Sequence, residues 1–126
     1  MNGLALAYIG DAYYELMIRN YLIKEKKLTN VNQLHKHAVL YTSGVAQAKI
    51  MTDFIESNIL SEAEIEQFKH GRNNSGPGRK NIDAKTYHLA TGFEALIGYL
   101  SINEESRAQT LIKHAIHLIE RGETHG

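Results

Sequence analysis

The chain has 126 residues, with fourteen Lys and Arg balancing fourteen Asp and Glu, and it is 43% hydrophobic and 22% charged. That composition predicts one globular domain over residues 1–126, and it excludes a disordered chain or a uniformly basic or acidic one. Cysteine is absent, so disulfides and thiolate metal sites are excluded, and a reducing compartment, the cytoplasm, is the default expectation.

An all-α fold is predicted, because no alternating run suggests a strand and Pro77 is the only proline. The first helix spans about Gly3 to Lys24. It opens almost at Met1, which fits either a helix that begins the protein or a few residues ahead of it. Its apolar stretch, Leu4 to Ile18, is too short for a membrane span or a signal segment and carries Asp11 and Glu15. A second helix follows Asn30, with Val31, Leu34, Ala38 and Tyr41 at helical spacing. Ser43 and Gly44 break it, and a third runs through Ala46, Ile50, Phe54 and Ile55. Ser61 with Glu64 is a capping box, so a fourth helix starts there and ends near Gly71. Residues 71 to 81, GRNNSGPGRKN, read as a loop. A fifth helix covers about Asp83 to Ile102 and a sixth about Glu104 to Arg121.

The zero charge hides a sorting by segment. Asp53 to Glu66 carries five acids and no base, which reads as a solvated face. Gln67 to His88 sums to +4 and Lys24 to His37 to +3. Arginine and lysine among glycines and asparagines can set cations and backbone N–H groups against phosphates.

The sharpest signal is acidic. Asp11 and Glu15 are the only charges between Gly3 and Ile18, and Glu94 is the only one between Thr86 and Asn103. A carboxylate isolated in an apolar helix takes up a proton or finds a cation. Three of them converging inside a bundle would suit a hard divalent metal. Asp11 and Glu15 stand four apart on one face; a cheaper account of Glu15 pairs it with Arg19. His114, His117 and Glu120 are spaced three apart and offer a second, weaker metal reading. The seven tyrosines mostly sit at helical spacing among Leu, Ile and Ala, as core or interface residues do.

Read together, these segments carry a resemblance. ALAYIGDAYYELMIR, residues 5 to 19, resembles the signature helix of ribonuclease III domains, and TGFEALIGYL, residues 91 to 100, resembles that family's second motif. The short helical chain and HGRNNSGPGRKN, residues 70 to 81, are similar to the Mini-ribonuclease III branch. The resemblance implies the helical bundle of a ribonuclease III endonuclease domain. It implies Mg²⁺, with Mn²⁺ as a substitute, held by the catalytic Asp11 and Glu94. Two further acids of larger family members fall here on Ala7 and Thr91, and Glu15 is a candidate substitute ligand by spacing. The implied reaction is metal-assisted hydrolysis of double-stranded RNA to 5′-phosphate and 3′-hydroxyl ends, by a homodimer cutting one strand per subunit. The implied target is precursor 23S ribosomal RNA, with help from a large-subunit ribosomal protein and no membrane. Arg72, Asn73, Arg79, Lys80 and Lys85 are the candidate RNA-binding residues, with Lys36 and His35 secondary. Two other readings stay open: a non-catalytic RNA-binding or assembly module on this fold, and a small metal-binding bundle built on His114 and His117.

Overall fold

A computed structural model describes residues 1–76 and 82–125 of the chain, with side chains through residue 122. Six α-helices are formed among them: α1 Gly3–Lys24, α2 Val31–Thr42, α3 Gly44–Glu56, α4 Glu62–Asn73, α5 Ala84–Asn103 and α6 Glu105–His125. No strand occurs among the described residues. The starts of α1 to α5 are each set by a short polar side chain that takes up an otherwise orphaned N–H. Asn2 accepts from Ala5 (2.8 Å), Asn30 from Gln33 (3.1 Å) and Asp83 from Thr86 (2.9 Å). The Ser61–Glu64 capping box is formed as predicted. Ser43 serves two helices at once. Its N–H donates to Val39 at the end of α2, and its Oγ accepts from Ala46 at the start of α3.

α5 is the central element, packed against α1, α3, α4 and α6. Its residues from Ala90 to Leu100 are almost all buried, and Glu94 and Tyr99 are only partly exposed. A helix apolar on every side must be covered on every side. Around it cluster Tyr14, Ile18, Leu22, Ile50, Met51, Phe54 and Leu111. α1 meets α5 backbone to backbone. A Cβ on Gly10 would stand 1.7 Å from the Glu94 carbonyl oxygen, and one on Gly98 would stand 1.9 Å from that of Leu6. Only glycine permits this approach.

The end of α4 differs from the sequence expectation. Arg72 and Asn73 belong to the helix, not to a loop beginning at residue 71. Gly71 sits there for packing, since a Cβ would meet that of Ala95 at 2.3 Å. The helix is closed further on, where Asn74 Nδ2 donates to the His70 carbonyl (2.7 Å) and Ser75 Oγ donates to that of Arg72 (2.9 Å). Pro77, Arg79 and Lys80 lie outside the described residues.

The acidic stretch is not simply a solvated face. Glu64 is buried and bidentate to Arg107, with Arg107 Nε at 2.9 Å and an amino nitrogen at 3.1 Å, joining α4 to α6. The Arg107 guanidinium holds the Glu64 carboxyl below the ordinary carboxylate range, against the opposing effect of burial. Asp53 lies 3.3 Å from His114. Glu120 accepts from the hydroxyls of Tyr21 and Tyr41 and pairs with Lys26, tying α6 to α1 and α2. Burial tends to raise the Glu120 pKa, but the two hydroxyls and Lys26 bring it below the ordinary value.

Candidate active site

Asp11 and Glu94 face one open cleft of about 850 Å³. The crossing of α1 and α5 brings them together, because Gly10 rests on the backbone of Glu94 itself and Asp11 is the next residue along α1. Neither carboxylate is entombed. Asp11 is exposed and Glu94 partly so. Their apolar neighbours in sequence fill the core while the acids look outward into the cleft, which corrects the expectation of charges converging inside the bundle.

Ala7 and Thr91 line the same cleft, one turn before Asp11 and one before Glu94. Neither brings a charge. The Thr91 hydroxyl donates to the Tyr87 carbonyl at 2.9 Å, a bond inside its own helix. The cleft therefore offers two carboxylates. Among the described residues no group of three or more His, Asp or Glu is assembled for a metal. Two carboxylates suit a hard cation that keeps most of its water or shares substrate phosphates, as Mg²⁺ does. They do not suit a closed zinc site. The His114, His117 and Glu120 reading fails on placement, since His114 pairs with Asp53 and Glu120 with tyrosines and Lys26.

Glu15 is not brought to this cleft. It lines a neighbouring groove of about 290 Å³ between α1 and α2, together with Arg19 and His35, and stands 3.4 Å from Arg19 Nε. Of the candidate RNA-binding residues, Lys36 and His35 are exposed on α2 and Lys85 is exposed in the first turn of α5. Arg72 and Asn73 end α4, with Arg72 Nε donating to Asn73 Oδ1 (3.1 Å) and its guanidinium 5.3 Å from the Phe68 ring centre.

The sequence did not point to several residues that shape the cleft. Gln47 is 2% exposed, its amide donates to the Thr42 carbonyl (3.2 Å), and both residues line the cleft. An amide between Ala46 and Ala48 is the only hint of this in the sequence. Tyr8 borders the cleft at 71% exposure, unlike the buried Tyr14 and Tyr41.

Comparison with known proteins shows the family and the fold. The Ribonuclease III domain family matches residues 4–105. A Mini-ribonuclease 3 from Acholeplasma laidlawii is 55% identical over 126 residues, covering all of both chains. One from Clostridium tetani is 44% identical over 133 residues, covering all of this chain and 87% of the other. A crystal structure of a Fusobacterium nucleatum protein superposes with a TM-score of 0.81 at 29% identity, over 92% of this chain and 93% of that one. No described helix is long and apolar enough to cross a membrane.

Proposed function

The chain belongs to the ribonuclease III family, in its Mini-ribonuclease 3 branch, and is an endoribonuclease of double-stranded RNA; we propose that Asp11 and Glu94 are its catalytic carboxylates and hold Mg²⁺. The observation that carries the proposal is the pairing of these two acids, from separate helices, across one cleft. Held by Asp11 and Glu94, the metal would supply polarisation of the scissile phosphate and a lowered pKa for a water. The chain's own part is to hold two negative oxygen donors on rigid helices at the mouth of the core and to lay the duplex across them. Asp11 and Glu94 are both present at the cleft, which supports the catalytic reading; the uncharged Ala7 and Thr91 are what the non-catalytic module has in its favour.

The proposed RNA-binding residues are Arg72 and Asn73 at the end of α4, Arg79 and Lys80 in the sequence that follows, Lys85 on α5, and Lys36 and His35 on α2. Duplex RNA is read by shape, phosphates and 2′-hydroxyls, so point cations suffice. The proposed assembly is a homodimer. Ile9, Leu16 and Ile23 recur every seven residues along α1 and are 44%, 54% and 46% exposed, an apolar stripe of the kind that marks a partner surface. The proposed target is precursor 23S ribosomal RNA in the cytoplasm. A formal charge of zero gives little global attraction to RNA, which is the reason to propose a large-subunit ribosomal protein as helper.

The test is a long RNA duplex incubated with Mg²⁺ and then with EDTA. We expect 5′-phosphate and 3′-hydroxyl ends with the metal and no cleavage after chelation. Undiminished cleavage in EDTA would overturn the metal assignment. A second measurement addresses the surface. Arg72→Ala with Lys80→Ala is expected to weaken duplex binding and to flatten the slope of log K against log salt by about 1 to 2. An unchanged slope would remove that segment from the interface.

A further inference from the structure

We propose that Ser75, Tyr87 and His88 form a polar latch that fixes the end of α4, and with it Arg72 and Asn73, to the helix that carries Glu94, and that His88 is thereby a positioning residue for duplex RNA. The inference rests on the functional reading above and assigns roles to residues which that reading does not use.

The latch lies where α4 gives way to the basic segment. Ser75 is only 6% exposed. Its Oγ donates to the Arg72 carbonyl (2.9 Å) and also touches His88 Nδ1 on α5. A hydroxyl has one proton to give. With that proton on the Arg72 carbonyl, the second contact requires His88 Nδ1–H to donate to Ser75 Oγ. The Ser75 carbonyl in turn accepts from the Tyr87 hydroxyl (3.2 Å). Ser75 is therefore gripped through both side chain and backbone by consecutive residues of α5, whose rings lie 5.6 Å apart.

Tyr87 gives the latch its functional meaning. It lines the cleft with Ala90, Thr91 and Glu94, three, four and seven residues on, which is one face of a helix. The face that presents Glu94 thus also fixes the point at which the chain leaves Arg72. The Arg72 side chain is itself held by Asn73 and Phe68. Arg72 makes no ion pair among the described residues, and its amino groups suit a phosphate. A cation fixed before the substrate arrives loses less conformational freedom on binding. The α4–α5 packing has other anchors in Phe68 and Gly71, and the Arg107–Glu64 pair ties α4 to α6. Loss of the latch should misplace Arg72 without unfolding the helix.

The test combines kinetics on a long RNA duplex in Mg²⁺ with ¹⁵N NMR of the His88 ring. For Ser75→Ala and His88→Phe we expect KM to rise roughly five- to tenfold, the loss of about one net hydrogen bond, with kcat and Tm close to those of the unaltered chain. His88→Asn places an amide N–H near the position of Nδ1 and should return KM toward its original value. The spectrum should show the Nδ1–H tautomer, and Ser75→Ala should abolish that preference. Arg72→Ala is the reference. If it raises KM while His88→Phe does not, the latch is overturned and the functional reading stands. If Arg72→Ala also leaves KM unchanged, the proposed RNA surface fails and the latch fails with it. A parallel fall in kcat and Tm in His88→Phe, without rescue by His88→Asn, would mark the contact as purely structural and overturn the proposal.

Discussion

Asp11→Asn is expected to lower kcat for duplex cleavage by about a thousandfold, some 4 kcal/mol of barrier, while leaving the thermal melt unchanged. The side chain is exposed, and no hydrogen bond or ion pair of it is found among the described residues, so the fold does not depend on its charge. An amide keeps the size and loses the negative charge. With two carboxylates at the cleft among the described residues, halving their charge removes much of what would neutralise a divalent cation. Glu94→Gln is expected to behave alike in the assay. The measurement is single-turnover cleavage beside a melt. Turnover by Asp11→Asn within tenfold of the unaltered chain would sink the assignment.

The second large effect concerns a residue that touches no substrate. Helix propensity alone predicts that Gly10→Ala stabilises α1 by about 1 kcal/mol. The structure predicts the opposite sign. The added methyl would sit 1.7 Å from the Glu94 carbonyl oxygen, and backbone cannot rotate aside as a side chain can. α1 and α5 must separate, at a cost of about 3 kcal/mol or more. Tm should fall by roughly 10 to 15 °C, and cleavage should fall too, because the shift moves Asp11 away from Glu94. Gly98→Ala meets the Leu6 carbonyl at 1.9 Å and should do the same. A melt within a few degrees of the unaltered chain, or a rise, would show that the crossing is looser than it looks.

Much of the helical framework was legible because its signals are local. The capping box at Ser61, the break at Ser43 and Gly44 and the apolar run of α5 each involve neighbours in sequence. Gly71 misled for the opposite reason. A glycine near a helix end reads as a stop, but this one is required by Ala95 on another helix. The two catalytic candidates were legible as charges out of place. Their surroundings were not, because Thr42 and Gln47 reach the cleft from α2 and α3 only after the chain has folded. Glu15 shows the limit of spacing arguments. Four residues carry it only about 40° round the helix from Asp11 but a full turn, roughly 6 Å, along it. That is enough to move it past the α1–α5 crossing and into the groove beside α2. The Ser75–His88 contact left no trace in the sequence, since neither residue is unusual for its position.

The meeting of α1 with α5 also bears on when the enzyme becomes dangerous to its own maker. Asp11 lies in the first helix and Glu94 in the fifth, and nothing local can substitute for their encounter. On a ribosome, α1 through α4 are extruded first, carrying Asp11 without Glu94. The second acid arrives with the very helix around which the others pack. With Asp11 and Glu94 as the proposed catalytic pair, a nascent chain is expected to be inert toward the structured RNA surrounding it until its core closes, and cutting competence is expected to begin with completed folding.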